Sequence, residues 1–196
     1  MPSATPNIKK TIPEKKKRWN AAYKRLNKTK PMILVEVGVW YPKFSKAIIP
    51  YMPNLSMILI DRWTPPPAGD FYANSQSLIS SKSQDDYNKA LGECKKVAAK
   101  YPAGRITIYK MDSVKAAKCL EDRSVDMIFI DGDHSYNGCK RDINAYLPKV
   151  KKGGWLGGHD YAHPDQGEVK KAVDEFVAAG RFKLELDVNR TWWARI

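Results

Sequence analysis

The sequence predicts an α/β fold with a mostly parallel, doubly wound sheet of about seven strands that finishes in an antiparallel hairpin. Short apolar runs rich in Val, Ile and Leu recur along the chain, and segments with helical periodicity separate them. Strands that alternate with helices form parallel sheets covered by helices on both faces, so such strands are apolar throughout instead of alternating. The last two runs are joined by a short turn, which predicts the hairpin and an antiparallel edge.

The predicted strands take up most of the apolar residues of the chain. They are MILVEV (32–37), LSMILI (55–60), RITIYK (105–110), VDMIFI (125–130), a fifth within KKGGWLGGHDY (151–161), and two within RFKLELDVNRTWWARI (181–196). A turn at Asp187–Arg190 joins the last two. Successive side chains of a strand point to opposite faces, so we expect one of Trp192 and Trp193 to lie in the core.

The predicted helices begin and end at recognisable capping residues. They run from about Glu14 to Leu26, briefly after Pro42, from the N-cap Ser83 to about Tyr101, from Ser113 to Leu120, from Tyr136 to Val150, and over 167–180 with Gly180 as the stop. Residues 62–83 match no element. This proline-rich loop is long enough for a substrate lid, in which Trp63, Phe71 and Tyr72 would cover the ligand; the alternative is an ordered loop whose aromatic residues pack on the domain.

The positive charge of the chain is concentrated at its beginning. The net charge is +13, and residues 1–30 hold ten of the 34 basic residues with a single acidic one, Glu14. We therefore expect a basic N-terminal arm with a helix (1–30) before a single domain (31–196). Such an arm can contact nucleic acid, anionic lipid or an acidic substrate, or it can be a solvated segment that aids solubility. Aromatic residues are sparse in it, so nucleic acid is not favoured as a partner.

Composition excludes several other classes of protein. An apolar content of 43% is too high for a disordered chain, and no apolar run is long enough to span a membrane. The first residues lack the apolar core of a secretory signal. Three cysteines without metal-ligand spacing give neither a disulfide framework nor a zinc site, so a reducing cytoplasm is the expected location. Nothing in the sequence excludes a homo-oligomer.

Polar residues follow the predicted strands at the edge where a ligand site is expected. In doubly wound sheets ligands bind beyond the carboxyl ends of the strands, near the point where strand order reverses. Gly38 would let the backbone approach a ligand closely, and Asp61, 23 residues further on, is placed to accept hydrogen bonds from ribose hydroxyls. The alternative is an ordinary tight turn and a helix-capping aspartate.

The run IDGDHSYNGCKRDINAYLPKVKKGGWLGGHDY (130–161) resembles the signature stretch of class I S-adenosylmethionine-dependent methyltransferases. It is most similar to the small-molecule O-methyltransferase group that carries DGDHSY and GGHDY segments, and the resemblance extends over roughly 32–180. It implies a Rossmann-like fold, S-adenosylmethionine as cofactor, and methyl transfer to an oxygen of a small-molecule acceptor.

The same resemblance assigns cofactor contacts to residues of this chain. It places Glu36 and Gly38 at the methionine moiety, Asp61 at the ribose, Asp112 and Ser113 at the adenine, and Asp131 beside the cofactor. One position departs from the family pattern E-x-G-x-x-x-G, because its second glycine is Pro42 here. Proline fixes φ and lacks an N–H, so the turn must be tighter or differently bent.

Related metal-dependent O-methyltransferases hold a divalent cation just past the fourth and fifth strands. The matching residues are Asp131, His159 and Asp160, a donor set that suits Mg²⁺ or another divalent cation such as Mn²⁺ or Fe²⁺. His134 is then the candidate general base, and Asp131 is catalytic through the cation. Alternatively, Asp131 caps a turn or binds cofactor, and His134 is a loop residue.

Two other functions fit parts of the same pattern. His134 and His159 with one carboxylate would suit a non-haem iron oxygenase, although that triad usually lies on a β-sandwich. A nucleic-acid-directed or non-catalytic S-adenosylmethionine-binding protein would use the basic arm.

Overall fold

A computed structural model describes residues 17–66, 81–163 and 168–196. The strands are Met32–Val37 (β1), Leu55–Asp61 (β2), Ile106–Lys110 (β3), Val125–Ile130 (β4), Val150–Gly158 (β5), Leu184–Asp187 (β6) and Thr191–Arg195 (β7). The helices are Arg18–Arg25 (α1), Lys43–Ile48 (α2), Gln84–Ala98 (α3), Ser113–Ala117 (α4), Tyr136–Tyr146 (α5) and Glu168–Ala178 (α6). Short 3₁₀ turns at Ile49–Tyr51 and Leu147–Lys149 follow α2 and α5.

All seven strands form one sheet in the order β3-β2-β1-β4-β5-β7-β6. The first five are mutually parallel, whereas β7 runs antiparallel to β5 and β6 antiparallel to β7. This confirms the predicted fold class, including the hairpin. Strand order reverses between β1 and β4, so the ligand site of such a sheet is expected at their carboxyl ends.

Each face of the sheet is covered by its own set of helices. One buried cluster joins residues of α1, α2 and α3 to the sheet, and a second joins residues of α4, α5 and α6 to the opposite face. One of Trp192 and Trp193 was expected in the core, and both side chains are fully buried there because each face of the sheet is covered. Trp193 packs beside Phe129 on one face and Trp192 beside Phe182 on the other.

The described part of the basic arm packs on the domain. Ala21, Ala22 and Leu26 are buried in the first cluster. At the end of α1, Arg25 pairs with Asp187 at 2.6 Å and lies over the ring of Trp193, 4.7 Å from its centroid. The first residues of the predicted helix, 14–16, lie outside the described residues. None of the described helices is long and apolar enough to cross a membrane.

One predicted helix begins at the expected cap, and another ends earlier than predicted because of a proline. Ser83 caps α3 as predicted, since its hydroxyl accepts from the Asp86 N–H while the Asp86 carboxylate accepts from the Ser83 N–H. The helix predicted over Tyr136–Val150 ends earlier, at Tyr146, because Pro148 has no N–H to continue it and the chain enters a 3₁₀ turn.

Candidate active site

The floor of the site is a contact between two glycines at the carboxyl ends of β1 and β4. Gly38 has φ of +82°, and a Cβ atom at this position would lie 2.3 Å from the Cα atom of Gly132. No other residue can occupy position 38 without pushing the two loops apart. The sequence predicted that Gly38 lets the backbone approach a ligand; in the structure, the group that requires a glycine at this position is the backbone of Gly132.

A cleft opens above this floor along the ends of the first four strands. Its lining includes the predicted residues Gly38, Asp61, Asp112, Ser113 and Asp131, together with Trp40, Tyr87, Met111, Gly132 and Asp142. The five predicted residues are widely separated in sequence and meet here because parallel strands end at the same edge.

Asp61 holds the turn that follows β1. Its two carboxylate oxygens accept hydrogen bonds from the backbone N–H groups of Trp40 at 2.8 Å and Trp63 at 2.7 Å. Burial raises the pKa of Asp61, and these hydrogen bonds oppose the increase. The carboxylate therefore organises the cleft wall.

Trp63 belongs to the core and not to a lid. Its side chain is 0% exposed, and its indole Nε1–H donates to the carbonyl of Trp40 at 3.0 Å. For this residue the expectation of a substrate-covering role is wrong, because the indole packs beneath the turn after β1. Phe71 and Tyr72, the other predicted lid aromatics, lie outside the described residues.

The turn at Pro42 takes the different shape that the missing glycine required. Trp40 adopts φ of +49°, a left-handed conformation that Asp61 stabilises through the Trp40 N–H. Pro42 then occupies the N-cap of α2 and accepts from the Lys46 N–H at 3.0 Å. Since an N-cap residue contributes only its carbonyl to the helical hydrogen bonds, the missing N–H of Pro42 costs nothing.

Glu36 is buried below the cleft, at the end of β1. It is 1% exposed, and its Oε2 atom has no hydrogen-bond partner among the described residues. Burial raises the pKa of Glu36 well above its usual range, while the nearby charge of Arg18 opposes this. Buried polar atoms normally have partners, so the unpaired oxygen requires an explanation.

Two carboxylates and two imidazoles converge beyond β4 and β5. His134 Nε2 lies 3.5 Å from Asp131 Oδ1, and His134 Nδ1 lies 3.4 Å from Asp160 Oδ2. His159 Nδ1 lies 3.4 Å from Asp131 Oδ1 and 3.1 Å from Asp160 Oδ1. The structure therefore brings together all four residues that the sequence nominated for metal binding or proton transfer.

This cluster has a donor set suited to a divalent cation. Asp131, His134 and Asp160 each offer a ligand atom, and these atoms lie within 4.8 Å of one another. Two carboxylates with an imidazole fit Mg²⁺, Mn²⁺ or Fe²⁺. His134 takes the place in this group that the family resemblance gave to His159; from the sequence it was named as a base, or as an iron ligand in the oxygenase alternative. His159 is held from behind, with Nε2 3.0 Å from Asn189 Oδ1.

The charges within the cluster balance one another. Burial opposes the ionisation of Asp131, but Arg18 and the two imidazoles hold the pKa of its carboxyl far below the usual range. Burial also opposes the charged form of His159 and by itself would lower its pKa. The carboxylates of Asp131 and Asp160 outweigh this effect and raise the pKa of His159 to about 9. At neutral pH the cluster is therefore an ionic network in which a protonated His159 faces the carboxylates of Asp131 and Asp160.

Beyond β3, the expected adenine-contacting residues have clear structural partners. The Asp112 carboxylate caps α4 by accepting from the N–H groups of Val114 and Lys115. The Ser113 hydroxyl donates to Asp142 Oδ1 at 2.6 Å. Neither fact excludes contact with a ligand, since both residues line the cleft.

Asp142 is a site residue that sequence reasoning missed. It is 1% exposed at the cleft, and burial raises its pKa to about 6, against the hydrogen bond from Ser113. The signal was available in the sequence. Asp142 lies on the apolar face of α5 with Cys139, Ile143 and Tyr146, and a charged residue on a buried helix face usually has a function.

Strand order, glycine floor and a polar cleft at the switch point define the architecture of a class I methyltransferase domain. A family model described as a methyltransferase domain matches residues 35–161, well over half of the chain. The chain belongs to this family, and the family implies S-adenosylmethionine as the cofactor.

Solved structures share the fold at low sequence identity. The O-methyltransferase NovP has a TM-score of 0.68 and 16% identity, with 91% of this chain and 78% of that chain covered. The calicheamicin methyltransferase CalS11 has a TM-score of 0.64 and 15% identity, with coverage of 90% and 76%. A putative caffeoyl-CoA O-methyltransferase from Staphylococcus aureus has a TM-score of 0.59 and 14% identity, with coverage of 91% and 82%.

A relative is also found in Acanthamoeba polyphaga mimivirus. The uncharacterized protein R132 is 39% identical over 62 residues, which are 30% of this chain and 28% of that protein. The match thus spans less than a third of the relative's length.

Proposed function

We propose that the protein is a methyltransferase that moves the methyl group of S-adenosylmethionine to an oxygen atom of a small molecule, with a divalent cation assisting. The observation that carries this proposal is the convergence of Asp131, His134 and Asp160 beside the glycine floor of the cleft. A cofactor cleft and a cation-binding group with a proton acceptor therefore share one edge of the sheet.

The residues of the chain divide between two tasks. Gly38 and Gly132 would form the floor beneath the cofactor, while Asp61 and the pair Ser113 and Asp142 would present hydrogen-bonding groups to it along the cleft. S-adenosylmethionine would supply an electrophilic methyl group, and a cation on the carboxylates of Asp131 and Asp160 would orient and acidify an acceptor hydroxyl, so that the His134 imidazole can accept its proton.

An oxygen acceptor is supported by the chemistry of the cluster and by the neighbours. A hydroxyl must lose its proton to become a good nucleophile, and the imidazole of His134 lies between two carboxylates that stabilise it after it takes that proton. NovP is described as an O-methyltransferase, and CalS11 as a TDP-rhamnose 3′-O-methyltransferase. The same histidines and carboxylates match an iron oxygenase in residue type, but the fold and the family favour methyl transfer.

Calorimetry on three variants tests both halves of the site. We expect S-adenosylhomocysteine to bind the wild type, to bind D61N much more weakly, and to bind D131N and D160N with little change. We expect Mn²⁺ binding, followed by electron paramagnetic resonance, to change little in D61N and to be much weaker in D131N and D160N. Failure of the wild type to bind either S-adenosylmethionine or S-adenosylhomocysteine would refute the proposal.

The acceptor is then sought with labelled S-adenosylmethionine and a panel of sugars, nucleotide sugars and catechols, with Mn²⁺ or EDTA. We expect H134Q to lower kcat for any accepted compound by roughly 10²- to 10⁴-fold, the usual contribution of a general base. Equal rates with Mn²⁺ and EDTA would remove the cation from the mechanism.

A further inference from the structure

The helices on one face of the sheet carry a large excess of positive charge. Residues 17–54 hold eight lysine and arginine residues and one acidic residue, Glu36, which is buried. Helix α3 and the turn after it add further exposed lysines. Six exposed lysines of these segments form no salt bridge with a described carboxylate, and we call them the basic face: Lys30, Lys43, Lys46, Lys89, Lys95 and Lys100.

The basic face is continuous across neighbouring helices. The buried residues of α1, α2 and α3 belong to one cluster on the same side of the sheet, so the exposed sides of these helices share one surface. Helix α1 packs against α2. Between α2 and α3, a hydrogen bond from Lys96 lowers the pKa of Glu93, and the positive charges of Lys46 and Lys100 lower it further. Lysines of two helices therefore act on one point and contribute to a common positive field.

The opposite face of the sheet does not share this excess. Helices α1, α2 and α3 contain eight basic and three acidic residues, a net charge of +5, whereas α4, α5 and α6 contain five and four, a net charge of +1. Several lysines of the opposite face are also paired, since Lys140 lies 2.6 Å from Glu175 and Lys149 lies 2.6 Å from Asp122. Charge that serves solubility alone is best spread with both signs mixed, so the asymmetry indicates a binding surface.

The chemistry of the basic face fits phosphate groups better than a protein or a bilayer. Protein interfaces are depleted in lysine and have apolar or aromatic centres. Stable attachment to a bilayer takes an apolar anchor besides basic residues. Among the described residues the one large hydrophobic side chain that is exposed is Leu186, which lies on β6 and not on the basic face. Binding to a phosphate backbone needs no apolar contact, because neutralised phosphates release their counterions.

We propose that the basic face binds the phosphate backbone of a nucleic acid duplex without reading its sequence. This surface goes beyond the proposed function, and none of its lysines lines the cleft. Nucleic acid was not favoured from the sequence because the basic arm, 1–30, contains few aromatic residues. The fold adds the lysines of α2 and α3 to that arm. A duplex keeps its bases stacked inside and is held through phosphates, so it requires no aromatic platform.

Two triple variants with equal charge provide the test. K30Q/K43Q/K46Q removes three charges from the basic face, and K115Q/K118Q/K171Q removes three from exposed lysines of the opposite face. Binding of a short labelled duplex is measured by fluorescence anisotropy in NaCl from about 50 to 200 mM. We expect the first variant to bind roughly 10- to 100-fold more weakly, with a plot of log affinity against log salt that is shallower by about 2–3. The second variant should follow the wild type, and thermal unfolding checks that both are folded.

The other outcomes would overturn the inference. Equal losses in the two variants would show attraction to the net charge of the protein and not to a surface. Wild-type protein that binds phosphatidylserine vesicles more tightly than the duplex would have a membrane-directed face. Tighter binding of a single strand than of the duplex would indicate base stacking and contradict phosphate recognition. The proposed function is tested separately, because binding of S-adenosylhomocysteine does not depend on these lysines.

Discussion

The hydroxyl of Ser113 donates a hydrogen bond of 2.6 Å to Asp142 Oδ1, and this is the hydrogen bond that offsets the burial of that carboxylate. The hydrogen bond does not offset the effect of burial fully, because the pKa of Asp142 remains raised to about 6. A carboxyl whose pKa is higher in the folded state than in the unfolded chain is destabilising once it ionises. The cost is absent below the unfolded pKa, grows as the pH rises, and is complete above about pH 6.

The first prediction follows from the destabilising effect of the ionised Asp142 carboxylate. D142N keeps an oxygen for the Ser113 hydroxyl and removes the charge, so we expect it to raise the free energy of unfolding at pH 7.5 by roughly 2–3 kcal/mol. The gain should shrink towards zero near pH 4. Urea unfolding of both proteins across this range measures it. D122N, at a carboxylate that is 69% exposed, is the control and should follow the wild-type curve. A gain that is constant with pH would contradict the assignment.

The second prediction concerns the glycine floor. G38A places a methyl group 2.3 Å from the Cα atom of Gly132, so the two loops must separate. Gly104 is a matched control, because it has nearly the same φ, +81°, and no atom lies within 4 Å of the point that its Cβ would occupy. We expect G104A to cost about 1 kcal/mol, the strain of the left-handed conformation alone. G38A should cost at least twice as much and abolish binding of S-adenosylhomocysteine. Similar costs for the two variants would mean that the loops separate freely.

The third prediction distinguishes a core tryptophan from a lid tryptophan. W63F keeps most of the apolar volume but removes the Nε1–H that donates to the carbonyl of Trp40. We expect a loss of about 1–2 kcal/mol in the free energy of unfolding, together with weaker cofactor binding because the turn at Trp40 loosens. A lid residue would behave differently, since its loss would change acceptor affinity and leave the stability unaltered. Thermal unfolding with and without S-adenosylhomocysteine separates these cases.

The strands could be predicted because burial on both faces of the sheet leaves an unambiguous sequence pattern. MILVEV and VDMIFI have no polar side to obscure that pattern, and β1 and β4 coincide with them. The position of the site followed from a general rule, since polar residues after parallel strands must meet at one edge. Both features were predictable because neither requires knowledge of a particular tertiary contact.

Residues whose role depends on contacts across the fold were harder to identify. Asp142 and Arg18 follow no strand; the packing of α5 brings Asp142 to the cleft, and the packing of α1 brings Arg18 to within 3.2 Å of Asp131. Trp63 looked like a loop aromatic because nothing in its neighbours reveals the pocket under Trp40. His134 was named as a base, but its distance to both carboxylates depends on where β4 and β5 end.

The fourth prediction concerns the clamp that holds α1 to the terminal hairpin. The Arg25 guanidinium pairs with Asp187 at 2.6 Å and with Glu185 at 3.0 Å, and it lies over the Trp193 ring. R25A would remove a largely buried cation, its stacking on an aromatic ring and the partner of Asp187. We expect a loss of roughly 2–3 kcal/mol in the free energy of unfolding.

The neighbouring residue Lys24 supplies the comparison for that clamp. Lys24 Nζ reaches Asp187 Oδ1 at 3.4 Å, but its side chain is 53% exposed. Exposed pairs of this kind contribute about 0–1 kcal/mol, so K24A should be close to the wild type. The loss in R25A should also persist in high salt, because stacking and a largely buried pair are screened less than exposed charges. Equal, salt-sensitive losses in both variants would mean that α1 is held only by surface charge, and the fixed position of Arg18 beside Asp131 would then lose its structural basis.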